Sequence, residues 1–214
     1  MPRYFETTTT FNFTWDQVAR AFWQKYPNPN SKHVLTEDTI IREVRSGKLF
    51  SKRLISKTNP SPKWAERFIT TKNVNIVEES IVDPQNKTLI TYTRNLGYLK
   101  VMSITEKVIY KESDECPGKT VAIRSAWIDS QIKGFGRAIC AFGYERFKKN
   151  CMKMVGGFNH VLSNMFPPHT TSSLPATHNV TSAKIKLKDA AKNASELAKA
   201  KAAPIYASLH PNQS

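Results

Sequence analysis

Ile132, Phe135, Ile139 and Phe142 recur at spacings of three or four, the repeat that places side chains on one face of a helix. The same stripe continues to Arg146, Asn150 and Lys153. A face that begins apolar and ends in hydrogen-bond donors has two readings. Either its last turns overhang the body and its polar groups are solvated, or those donors hold an anion at the end of a groove lined by Phe135, Ile139 and Phe142. A second basic row supports the anion. Within Lys48–Lys57, residues Ser51, Arg53, Ile55 and Lys57 share one face of a strand, because side chains alternate. If Ile55 points inward, so do Arg53 and Lys57, and buried cations require a compensating anion. The opposite parity leaves them in solvent, with Phe50, Leu54 and Lys52 on the inward side. His33 follows a Pro-rich turn and is either a phosphate donor or an ordinary loop histidine. The connection from Thr58 to Phe68 carries Pro62 and Trp64. It is a packed loop, or a lid or membrane contact, since Trp suits a bilayer interface.

Bond-making chemistry has no comparable support. The chain contains no H-E-x-x-H, G-x-S-x-G, G-x-G-x-x-G or Walker loop. Cys116, Cys140 and Cys151 form no C-x-x-C pair, which argues against a zinc site and a disulfide framework. No metal, cofactor or catalytic residue is expected.

These groups need elements to position them. Phe5–Phe13 reads as a Thr-rich strand. Thr14 with Gln17 three residues on is a capping-box signal for a helix running to Lys25, ended by Pro27 and Pro29. Val34–Val44 and Lys48–Lys57 form a hairpin through Ser46-Gly47. Val74–Val82 with Thr88–Arg94, and Leu99–Tyr110 with Thr120–Ile128, make two more. About seven strands joined by short turns imply an antiparallel sheet. Ser130–Met165 reads as one long helix. The predicted fold class is α+β, a curved antiparallel sheet with a short helix after strand 1 and a long C-terminal helix laid on one face.

The 214 residues hold 32 Lys+Arg against 17 Asp+Glu, a net charge of +15. Such a charge suits nucleic acid, anionic membrane or acidic protein. Residues 167–181 are rich in Pro, Ser, Thr and His and read as a flexible linker. Residues 182–214 form an Ala/Lys-rich tail whose first part, to 203, has the propensity of a marginal helix. That region has six Lys against Asp189 and Glu196, so +11 belongs to residues 1–166. No stretch has the ~18 apolar residues of a membrane span, and neither a secretory signal nor an Arg-rich presequence is expected at the N-terminus.

The runs Phe22-Trp23-Gln24-Lys25-Tyr26-Pro27-Asn28-Pro29, Ser31-Lys32-His33-Val34-Leu35-Thr36-Glu37-Asp38, Arg53-Leu54-Ile55-Ser56-Lys57-Thr58-Asn59, Ser80-Ile81-Val82-Asp83-Pro84 and Phe142-Gly143-Tyr144-Glu145-Arg146-Phe147-Lys148 closely resemble the PRELI-domain family. The resemblance covers about residues 1–166. The run around His33 and Trp64-Ala65-Glu66-Arg67 look more like its phosphatidic-acid-carrying branch than its phosphatidylserine-carrying Slowmo branch. The resemblance implies a START-like fold whose long helix covers an apolar cavity, and a non-enzymatic carrier. That carrier would shuttle phosphatidic acid from the outer to the inner mitochondrial membrane, feeding cardiolipin synthesis. It also implies residence in the intermembrane space, contact with anionic membrane surfaces, and a small helical partner with twin Cys-x9-Cys motifs. The family's headgroup-binding positions fall on Lys25, His33, Arg53, Lys57, Arg146, Asn150 and Lys153. Lys25 stands where an arginine is expected and keeps the charge without the planar fork. Ile55 joins Phe135, Ile139 and Phe142 as a cavity-lining expectation.

Two other functions compete. A nucleic-acid binder would use the basic surface, but no RNP-type aromatic signature or recognition-helix pattern is present. An enzyme on the same scaffold would need a titratable pair inside the cavity, and the interior positions assignable from sequence are cationic or apolar.

Overall fold

The structure is a computed structural model, and it describes residues 2–58, 62–63 and 73–167. Beyond Pro167, the expected linker and tail lie outside the described residues, as does Trp64.

The Thr14 capping box forms as expected. Thr14 Oγ1 accepts from the Gln17 amide at 3.4 Å, and the Gln17 side chain accepts from the Thr14 amide at 2.9 Å. This starts α1 (Trp15–Ala21), which tightens into a 3₁₀ turn at Phe22–Gln24. Trp15, Val18 and Phe22 are thereby buried. A second 3₁₀ turn follows at Pro29–Ser31.

Among the described residues seven strands follow one another: β1 (Arg3–Phe11), β2 (Val34–Arg45), β3 (Lys48–Thr58), β4 (Asn73–Asp83), β5 (Thr88–Asn95), β6 (Ser103–Glu112) and β7 (Thr120–Asp129). They form one antiparallel sheet in the order β1-β7-β6-β5-β4-β3-β2. Strands β2 to β7 are a meander, and β1 joins its far edge. The β2–β3 turn places Ser46 at φ 49° and Gly47 at φ 74°, the left-handed pair that a two-residue hairpin favours.

The long helix α2 spans Gly136–Met165, about 45 Å at 1.5 Å per residue. It begins six residues later than the composition of the segment predicts. Gly134 takes φ +79°, which no right-handed helix accommodates, and Phe135 becomes the residue before the first turn. Likewise β6 starts at Ser103 rather than Leu99, because Tyr98 takes φ 57° and its carbonyl accepts from the amides of Val101 and Met102.

The C-terminal half of α2 packs Phe158, Val161 and Leu162 into a core with Phe11, Trp15, Phe22, Leu89 and Tyr110. A smaller cluster joins Phe5, Ala126 and Cys151 to Tyr144 and Phe147. Two glycines set how closely α2 approaches its surroundings. A Cβ on Gly143 would lie 2.5 Å from Met102 Sδ and 3.1 Å from Ile128 Cγ2. A Cβ on Gly157 would collide with Asn28 Oδ1. Asn28 cannot yield easily, since its Nδ2 donates to the Lys25 carbonyl at 2.6 Å and its Oδ1 accepts from the Asn30 amide at 2.9 Å. Gly157→Ala is therefore expected to destabilise by about 1–3 kcal/mol despite the better helix propensity of alanine. Gly156→Ala meets only the exposed Asn30 Nδ2, at 3.0 Å, and is expected to be near neutral. Denaturant midpoints of the two variants check this, and equal midpoints would remove the close-approach argument.

Candidate functional site

Between α2 and the inner face of β3–β7 lies a cavity of about 220 Å³. Strand parity decides what faces it. In β3 the inward residues are Ser51, Arg53, Ile55 and Lys57; in β4 they include Val74, Ile76 and Glu78. The first parity considered for β3 is the one observed. Ile55, Val74, Ile76 and Ile104 line the cavity from the sheet, and Ile139 and Phe142 from the helix.

Phe135 does not join them. It is 55% exposed and absent from the lining, because the helix starts after it and its side chain falls outside the helical repeat. Pro62 lines the cavity at its edge and is half-buried.

Of the seven expected headgroup residues, Lys25, His33, Lys57, Arg146, Asn150 and Lys153 all line the cavity, and Arg53 does not. The seven divide into two environments. Deep in the protein, Lys25 Nζ contacts Glu78 Oε2 at 2.5 Å. Arg53, only 2% exposed, bonds the same carboxylate through Nε at 3.0 Å and through Nη2, while its Nη1 reaches Glu37. The anion that buried Arg53 requires is thus supplied by the protein. Arg53 also lies 4.8 Å over the Phe22 ring, and Lys25 lies 4.2 Å over the same ring. Burial pushes the Glu78 carboxyl upward, but Lys25 and Arg53 outweigh it and hold the pKa below the usual value. Burial lowers Lys25, with Glu78 opposing. Burial raises Glu37 against the pull of Arg53. Two cations and two carboxylates make this quartet neutral. A second internal pair joins Arg124 to Glu106 at 2.6 Å.

Glu78 and Glu106, both lining the cavity, are the functional-site residues that sequence reasoning missed. A signal existed for Glu78: Val74, Ile76, Glu78, Ser80 and Val82 alternate along β4, so its parity is that of the apolar residues. Register then sets Glu78 opposite Arg53.

At the opening the balance differs. Lys57 and Arg146 are half-buried, and His33, Asn150 and Lys153 are exposed. Burial depresses Lys57, with Glu106 opposing and Arg146 adding to it. Burial also lowers His33, and the positive fields of Lys57, Lys153 and Arg146 lower it further. Arg146 is lowered by burial. All three cations line the same cavity as His33. Among the described residues neither Lys57 nor Lys153 forms an ion pair. Lys57 and Lys153 therefore bring positive charge without an ion pair among the described residues to the edge of an apolar hollow, whereas Lys25 and Arg53 beneath them are neutralised. Such a cavity can take a ligand with an anionic end at the rim and hydrocarbon inside. Among the described residues no group of three His, Cys, Asp or Glu is placed to hold a metal, and no described helix is long and apolar enough to cross a membrane.

The PRELI-like family model matches residues 16–167. "PRELI domain-containing protein 1, mitochondrial" of Gallus gallus is 46% identical over 169 residues, covering 77% of this chain and 79% of the relative. "Protein UPS1, mitochondrial" of Saccharomyces cerevisiae is 34% identical, covering 75% of this chain and 93% of the relative. Among solved structures, the Zhui aromatase/cyclase of a Streptomyces species aligns with a TM-score of 0.53 at 9% identity, over 78% of this chain and 98% of that one. A protein of Thermus thermophilus aligns at 0.54 and 12% identity, over 76% of this chain and 99% of that one. At such identities the likeness concerns the fold, a START-like curved sheet covered by a long helix.

Proposed function

The chain belongs to the PRELI-like family, and from that premise we propose that it is a lipid carrier of the mitochondrial intermembrane space. Its cargo on this reading is phosphatidic acid, moved from the outer to the inner membrane to feed cardiolipin synthesis. The observation that carries the reading is the split in charge. Lys57, Arg146 and Lys153 surround the opening of an apolar cavity, while Lys25 and Arg53 are held by Glu78 and Glu37. The phosphomonoester would sit at the rim and the acyl tails beneath α2. No covalent bond changes, so no catalytic residue is required. A small helical protein with twin Cys-x9-Cys motifs would be the stabilising partner, and its binding would compete with membrane docking.

Native mass spectrometry of the purified chain tests the cargo. Phosphatidic acid is the expected co-purifying species, and protein that never carries a phospholipid would end the proposal. Phosphatidylserine has one observation in its favour: Glu106 lines the same cavity and its field reaches Lys57 at the rim, so it offers a carboxylate to the ammonium. The same spectrum separates the two lipids by mass. Filling the cavity should act without touching charge. Ile76 is half-buried against it, so Ile76→Trp is expected to lower lipid occupancy at least about fivefold. Its melting temperature should not fall, because the added ring enters existing space. Full occupancy in this variant would show that the tails lie elsewhere.

A further inference from the structure

Two connections at the β5–β6 end of the sheet form one surface. The loop 96–102 and the loop 130–135 are joined by the Gln131 amide, which donates to the Lys100 carbonyl at 3.0 Å. Leu96, Leu99 and Phe135 are 47%, 48% and 55% exposed there. Lys100 and Lys133 belong to the same two loops and Arg137 to the adjoining first turn of α2, all exposed. None of the three makes an ion pair among the described residues, and residues 96–102 and 130–137 contain no Asp or Glu. Exposed apolar side chains interspersed in the same segments with cations that form no ion pair among the described residues complement a surface that is anionic outside and hydrocarbon below.

We infer that this two-loop tip is a docking surface for an anionic lipid bilayer, with Leu96, Leu99 and Phe135 entering the interface and the three cations meeting lipid phosphates. Two further features agree. Gly97, Tyr98, Val101 and Met102 of the same loop line the cavity, so a seated tip brings the cavity wall to the lipid. On the outer sheet face nearby, Trp127 and Tyr4 make a tilted ring contact at 5.4 Å between centroids and are each about half exposed, as befits aromatics at headgroup level. The use of this surface for cargo exchange rests on the carrier reading; its attraction to the bilayer does not.

The test is flotation of the full chain with phosphatidylcholine vesicles, with and without cardiolipin, at low and high salt. Leu96→Ser/Leu99→Ser/Phe135→Ser is expected to weaken vesicle binding at least about tenfold. Lys100→Glu/Lys133→Glu/Arg137→Glu is expected to weaken it about a hundredfold on cardiolipin vesicles and to abolish most of the salt dependence. None of the six residues lines the cavity, so loading with short-chain phosphatidic acid, read by native mass spectrometry without vesicles, should be unchanged in both variants. Variants that load normally and float like the wild type overturn the tip and leave the carrier reading standing. A wild type that floats through this tip but never loads lipid ends the carrier reading and leaves the tip. If the serine variant instead converts a dimer to a monomer with flotation unchanged, the patch is a contact between copies and the bilayer assignment is overturned.

Discussion

Lys57→Glu and Lys153→Glu are each expected to slow vesicle-to-vesicle transfer of phosphatidic acid by about 10–100-fold while leaving the melting temperature within a few degrees. Both residues line the cavity opening, and neither is ion-paired among the described residues. Each substitution replaces an attraction to phosphate with a repulsion. Unit charges about 4 Å apart interact by about 4 kcal/mol near a protein surface and by about 1 kcal/mol in water. A half-buried rim falls between these, and tenfold corresponds to about 1.4 kcal/mol. Lys57→Glu should have the larger effect, because Lys57 already feels the field of Glu106 and a second carboxylate there adds like-charge repulsion. Lys148→Glu, on the exposed side of α2 and away from the lining, controls for the loss of overall positive charge. Rates equal to wild type in both rim variants would remove the rim from the headgroup site. An equal loss in Lys148→Glu would reassign the effect to general membrane attraction.

The second large effect is on stability. Glu78→Gln is expected to cost about 3–5 kcal/mol, since it leaves Lys25 and Arg53 buried with only Glu37 between them. Denaturant unfolding measures it, and a loss below about 1 kcal/mol would mean the quartet is not held as described. Replacing the whole quartet with apolar side chains of similar volume should recover much of the loss, because the cost lies in the unpaired charge. The pH dependence follows from the lowered Glu78 pKa. Between its folded value and the ordinary 4.5, the unfolded chain binds a proton that the folded chain does not. Its contribution is therefore full above about 4.5 and is lost as pH falls through the folded value. Glu37 acts in the opposite sense: its raised pKa costs stability above the folded value, and protonation relieves that cost. Glu78→Gln should thus flatten the acid limb of the stability curve, and an unchanged limb would assign acid sensitivity to other carboxylates.

Local order was legible in the sequence wherever a short repeat specifies it. The capping box at Thr14, the hairpin at Ser46-Gly47 and the shared face of Ser51, Arg53, Ile55 and Lys57 all depend on neighbours within a few residues. So does the helical stripe that leads from Ile139 and Phe142 to Arg146, Asn150 and Lys153, all of which line the cavity. Phe135 broke that stripe because one backbone angle, φ +79° at Gly134, ended the helix before reaching it. Hydrophobic spacing contains no information about that angle.

What the tertiary structure alone decided was which cations are compensated. Arg53, Lys25 and Lys57 look alike in the sequence, as buried or rim cations awaiting an anion. Strand register sets Glu78 opposite Arg53, and the fold brings Lys25 from the end of the α1 segment to the same carboxylate. Lys57, four residues along β3 from Arg53, meets Val74 across the strand and forms no ion pair among the described residues, feeling Glu106 only as a field. Charge pairing is a contact between segments distant in the chain, so only their packing could divide structural cations from those facing the cavity mouth.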